Sequence, residues 1–120
     1  MVDFLRRSWA VVDLDCIDYN IRSIKQKLKP GCMIMGVVKA DAYGHGAVQI
    51  SRKLEALGAD YLAVSSLDEA RELRHAGICA PLLVLGHTPP ELTPQLIQYH
   101  ITQTVSAQAK AEAYDDAAAK

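Results

Sequence analysis

Apolar positions along the 120-residue chain follow two alternating rhythms. Four short runs read as strands: Met33-Ile34-Met35-Gly36-Val37-Val38, Tyr61-Leu62-Ala63-Val64, Leu82-Leu83-Val84-Leu85 and Ile101-Thr102-Gln103-Thr104-Val105. The first lacks the polar alternation of a half-exposed strand and reads as buried on both faces. Between the runs the spacing becomes helical. Ile17, Ile21, Ile24 and Leu28 recur at steps of four, three and four, with Asp15 as the predicted cap and Pro30-Gly31 as the stop. Ile50, Leu54 and Leu57 form a second stripe ending at Gly58. Ser66-Leu67-Asp68-Glu69 has the form of a capping box, and Gly77 closes that helix. Thr88-Pro89-Pro90-Glu91 repeats the device, and Ser106 opens an alanine-rich last helix.

Strands and helices that alternate in this way predict a parallel sheet covered all round, either doubly wound or part of a (β/α)8 barrel. No linker or low-complexity stretch interrupts the series, and the length suits one core. A barrel needs eight strands and about 250 residues. On the barrel reading, residues 1–120 are therefore its N-terminal portion, about four parallel β/α units, with the remaining strands absent.

Composition narrows the function. Half of the residues are hydrophobic, 22% are charged and the net charge is -1, which excludes a disordered or supercharged chain. Lys25, Lys27 and Lys29 are the densest basic group and read as a solvated helix face, so no nucleic-acid partner is expected. No apolar run is long enough to span a membrane, and in Met1-Val2-Asp3-Phe4-Leu5-Arg6-Arg7 the basic pair follows the apolar residues, the reverse of a signal peptide. A cytoplasmic protein is expected. Cys16, Cys32 and Cys79 lack a metal-site spacing and read as buried, reduced thiols, while the four histidines form no H-x-x-x-H pair, so no metal site is expected.

The chemistry concentrates after the first strand. Lys39 stands where a parallel α/β protein gathers its catalytic groups, and Val37 and Val38 beside it favour a neutral amine able to form a Schiff base. The plainer alternative is an ion pair with Asp41. Gly44 and Gly46 permit positive φ just before the next helix, whose start favours a phosphate, with Tyr43 and His45 within reach. A bond from His45 to nearby backbone is its expected role.

The run Val37-Val38-Lys39-Ala40-Asp41-Ala42-Tyr43-Gly44-His45-Gly46 resembles the pyridoxal-phosphate attachment motif of the alanine racemases, which are (β/α)8-barrel enzymes. The likeness extends to Trp9-Ala10-Val11-Val12-Asp13-Leu14-Asp15, matching the family's opening strand and the aspartate that starts its first helix, to Ala63-Val64-Ser65-Ser66-Leu67-Asp68-Glu69-Ala70, and to Leu83-Val84-Leu85-Gly86. The resemblance implies that Lys39 carries pyridoxal 5'-phosphate and acts as the base on one face of the substrate Cα. Tyr43 then sits near the cofactor phosphate and Leu85 lines the cofactor pocket. It also implies interconversion of L- and D-alanine for the bacterial cell wall by a homodimer. The family's opposing tyrosine, ring-nitrogen arginine, later phosphate loop and C-terminal β domain have no match here, so residues 1–120 alone are expected to be inactive. The alternatives are another pyridoxal-phosphate barrel (a serine racemase, an amino-acid decarboxylase or a cofactor-homeostasis protein) and a non-enzymatic half-barrel module.

Overall fold

A computed structural model describes residues 8–120; the reading of Met1 to Arg7 lies outside them. The elements are α1 (Leu14–Lys27), β1 (Met35–Val37), α2 (Lys39–Tyr43), α3 (Ala47–Ala56), β2 (Tyr61–Val64), α4 (Leu67–His75), β3 (Leu82–Val84), a 3-10 turn (Pro90–Leu92), α5 (Thr93–Gln98), β4 (Ile101–Gln103) and α6 (Gln108–Ala118). All four strands are parallel and lie in the order β1-β2-β3-β4. A doubly wound sheet reverses its order at a switch point, whereas a barrel adds each strand to the last. The sequential order therefore selects the (β/α)8 class. The radius of gyration, 16.8 Å, exceeds the roughly 13–14 Å of a compact domain of this length, as an open arc of sheet requires.

Period-two alternation assigns the two faces of the sheet. Val38, Leu62, Val64, Leu82 and Val84 are at most 1% exposed and form one core with Ile50 and Leu54 of α3 and Ala70 and Leu73 of α4. Full burial of each valine, leucine or isoleucine among them is worth about 1.5–3 kcal/mol. The other face is open: Met35 and Val37 are each 44% exposed, and only small Ala63, paired between Val37 and Leu83, is fully covered. This corrects the reading of the first strand as buried on both faces, and the strand is three residues long because the segment before it runs into the loop after α1. Gly36 lets α3 press close, since a Cβ there would meet Leu54 Cδ1 at 2.6 Å.

Several local expectations shift. Residues 8–13 form no strand among the described residues, and Trp9 and Val11 are exposed. Asp13 rather than Asp15 caps α1, accepting from Asp15 N at 2.9 Å and Cys16 N at 3.3 Å, because the cap must stand outside the first turn whose N–H groups it takes. The last strand stops at Gln103, whose amide bonds Gly86 O at 2.7 Å and Thr104 O at 2.9 Å. Thr88 caps nothing: its buried hydroxyl donates to Gln103 Oε1 at 2.5 Å, and a 3-10 turn follows. Ala107, without a side-chain bond, precedes α6 in place of Ser106. The three cysteines are free but exposed. Cys16 lies in the outer first turn of α1, where the hydrogen bond and charge of Asp13 push its thiol up; Cys32 lies in a loop; Cys79 precedes β3 and offers its N–H to Glu55 at 2.7 Å. The basic trio is exposed, as expected of a solvated face, and the Lys25 amine bonds Leu57 O.

The entry to β3 is clamped from two sides. Glu55 Oε1 accepts from Cys79 N at 2.7 Å and Ala80 N at 2.6 Å, while the Arg74 guanidinium donates to Ile78 O, Ala80 O and Tyr99 O at 2.8 Å and to His100 O at 3.1 Å. Arg74 thus joins the start of β3 to the start of β4. Arg74→Met keeps the apolar stem but leaves these carbonyls unpaired, and should lower unfolding free energy by about 2 kcal/mol. The check is a urea titration, where the midpoint should fall at unchanged slope; a change within about 0.5 kcal/mol, as at an ordinary surface position, would contradict the clamp.

Candidate active site

The site is built at the C-terminal ends of β1, β2 and β3. Val38 N donates to Ala63 O at 2.9 Å, carrying the pairing of β1 one residue beyond the strand. The chain then reverses its hand. Ala40, Asp41, Ala42 and Tyr43 all have φ between +51° and +54°, so α2 is left-handed from Ala40 onward. Such backbone costs roughly 1–2 kcal/mol per L-residue, and it persists only where the surroundings over-determine it. They do so here. Ala42 N donates to Val38 O at 3.0 Å, Asp41 O accepts from Gly44 N at 3.1 Å and Gly46 N at 2.9 Å, and the Asp41 carboxylate takes Ala47 N at 2.8 Å. Small alanines reduce the steric penalty, and Ala42 is buried against the core.

Glu69 on α4 completes the frame. Its Oε1 accepts from Ala40 N at 3.0 Å and its Oε2 from Ser65 N at 2.7 Å, joining the end of β2 to the start of the left-handed turn. Ser66 caps α4 as expected, with Oγ accepting from Glu69 N at 3.3 Å. The reciprocal half of the box is replaced, because the glutamate reaches Ser65 and Ala40. Burial alone would raise the Glu69 pKa, but the bonds from Ser65, Ala40 and Ser66 outweigh it and hold the carboxyl below its ordinary value. A lowered pKa stabilises the fold fully above the ordinary glutamate range, and that contribution fades as pH falls through the native value.

Lys39 is half-buried at the mouth, two residues on from Val37. Among the described residues no ion pair or hydrogen bond engages its amine, and Asp41, the alternative partner, accepts from Ala47 N instead. Leu85, two residues on from Leu83, is 41% exposed, and its N–H donates to Val64 O at 2.8 Å. The next residue must be glycine, since a Cβ on Gly86 would meet Ser65 O at 2.4 Å. Lys39, Ser65 and Leu85 thus stand at adjoining strand ends, while Tyr43, 62% exposed, closes the turn after Lys39. His45 Nδ1 lies 3.1 Å from Ala42 O, the backbone bond expected for it. The start of α3, read as favourable for a phosphate, is taken by the Asp41 carboxylate, which repels an anion there. Sequence reasoning missed Asp41 as a cap and Glu69 as a bridge; the second oxygen of a capping glutamate was the one available signal for the latter.

Residues 12–120 match the family described as "Alanine racemase, N-terminal domain". The chain belongs to that family. An alanine racemase of Desulfovibrio desulfuricans is 47% identical over 118 residues, covering 98% of this chain and 32% of its own length. Among solved structures, the alanine racemase of Clostridium difficile 630 superposes with a TM-score of 0.84 at 43% identity, over 88% of this chain and 28% of that one. The alanine racemase of Bacillus anthracis with bound L-Ala-P gives 0.85 at 40% identity, over 97% and 29%. The chain therefore spans about a third of the length of the alanine racemases it matches. The Lys39 segment and the Glu69 helix both fall inside the matched region.

Relief of the positive φ gives a direct test of the turn in this alanine racemase family member. Ala40→Gly removes the Cβ from a residue at φ +51°, and should raise unfolding free energy by about 1 kcal/mol. Chemical denaturation reads the change, and a destabilised variant would argue against a left-handed Ala40.

Proposed function

We propose that the chain supplies the Lys39 half of a pyridoxal-phosphate-dependent alanine racemase, as the N-terminal part of its barrel. The observation that carries this reading is the Lys39 amine at the end of β1, which no ion pair or hydrogen bond engages among the described residues and which is followed at once by four residues held at positive φ. The residues present fit the cofactor. Lys39 offers a primary amine that no partner engages among the described residues, Val37 and, two strands over, Leu85 offer apolar surface, and exposed Tyr43 offers a phenol. When bound, the cofactor supplies an electron-withdrawing ring that makes the substrate Cα–H acidic.

Lys39 Nζ would hold the cofactor and would move the substrate Cα proton on the face it fronts. Tyr43 Oη would donate a hydrogen bond toward the cofactor phosphate, and Leu85 would line the pocket and help exclude water. Racemisation also needs a proton carrier on the opposite face, which falls to residues outside this chain. Of the tyrosines here, Tyr114 already donates its hydroxyl to Thr88 O at 2.5 Å. Residues 1–120 alone are accordingly inactive, and the complete enzyme works as a cytoplasmic homodimer on alanine. No helix among the described residues is long and apolar enough to cross a membrane.

Borohydride reduction of the cofactor-loaded complete enzyme, followed by peptide mapping, should place the label on Lys39, and Lys39→Ala should lose racemisation almost entirely. Label on Lys53 or another lysine would overturn the assignment. Tyr43→Phe should weaken cofactor affinity by about 1 kcal/mol, somewhat more if the phosphate is fully charged, and leave turnover at saturating cofactor nearly intact. A fall in turnover at unchanged cofactor affinity would instead put Tyr43 among the catalytic residues.

A further inference from the structure

We propose that Glu69 is a positioning residue for Lys39, holding the peptide group that joins Lys39 to Ala40 and thereby the direction in which the lysine leaves β1. The inference rests on the racemase reading above and deepens it. Ala40 N belongs to the same rigid plane as Lys39 C and O. Fixing that N–H therefore fixes the backbone rotation that follows the Lys39 Cα.

The fixing group is well supported. Glu69 Oε1 is 3.0 Å from Ala40 N and Oε2 is 2.7 Å from Ser65 N, so one carboxylate references the lysine to the neighbouring strand end. Behind it, α4 is held by buried Leu67, Ala70 and Leu73, and Ser66 Oγ accepts from Glu69 N at 3.3 Å. The carboxylate spans 29 positions of sequence to reach Ala40. Ala40 is the first of the four residues at positive φ, and with that N–H untethered Lys39 gains a rotation that a near-attack geometry does not tolerate. Only a carboxylate serves both donors: a glutamine offers one acceptor oxygen and turns an NH2 toward the other N–H, and an aspartate is one methylene short.

The test uses the complete enzyme loaded with pyridoxal phosphate. In Glu69→Gln, borohydride should still label Lys39, kcat should fall about tenfold or more, as expected for a lost bond to a charged acceptor, and KM for alanine should stay within about twofold because the lysine is misdirected rather than the substrate unbound. Hydrogen exchange at the Ala40 amide should quicken by about tenfold or more, again the loss of a charge-assisted bond. Glu72→Gln, an exposed position on the same helix, should change none of these. Unchanged kcat, or a loss confined to KM or to melting temperature, would overturn the positioning role.

Should Glu69→Gln not fold, Glu69→Asp carries the same readouts. Independently, the unmodified enzyme must show both the Ala40 and the Ser65 amide protected from exchange; free exchange at either removes the bridge and with it the proposal. Absence of the Lys39 label in the unmodified enzyme would instead sink the racemase reading.

Discussion

Side chains on a parallel strand alternate between two faces, and everything else in this molecule follows from that constraint. One step of the alternation sends Leu62, Val64, Leu82 and Val84 into the helices, where they are all but fully buried. The other step sends Met35, Val37 and Leu83 to the open side. The core is therefore one-sided, and its helices bear the whole task of covering it. The strand ends then become the place where chemistry is presented, because Lys39 and Leu85 continue the uncovered rows past the last ladder bonds.

How much of this is legible in the residues depends on range. β2 was readable at its observed ends because Tyr61 to Val64 lies between clear turns and its burial is local. β1 is less legible because an apolar run does not say which side of a strand has a partner: Met33 and Met35 are hydrophobic and yet exposed. Lys39 was legible from its position after a strand, and the family likeness is carried in part by the run Val37 to Gly46 around it. The left-handed turn was not legible. Nothing in Ala40 or Ala42 favours positive φ, and the preference is imposed by bonds from Val38, Asp41 and Glu69. Glu69 itself reads as a local cap because the sequence shows its neighbour Ser66 and hides its distant partner Ala40.

A common theme is charged side chains that serve backbone groups rather than one another. Glu55 and Arg74 bracket the chain entering β3, Asp41 takes the first N–H of α3, and Glu69 takes two N–H groups at the mouth. Charge-assisted bonds to backbone are directional and stronger than neutral ones, which suits them to joints between elements. The remaining ion pairs, such as Asp18 with Lys53 at 3.2 Å, lie toward the surface and add little. Stability at the base of the sheet and geometry at its mouth are thus set by the same chemical device, used at opposite ends of the strands.

The strictly sequential strand order bears on how the chain is made. Each strand after β1 pairs with the one synthesised immediately before it, so β2, β3 and β4 each meet a partner already made. Loop closure stays short at every step, and the unit carrying Lys39 meets the helix carrying Glu69 as soon as that helix emerges. Vectorial synthesis can then build the arc one β/α unit at a time, with β1 at one edge and the newest strand at the other.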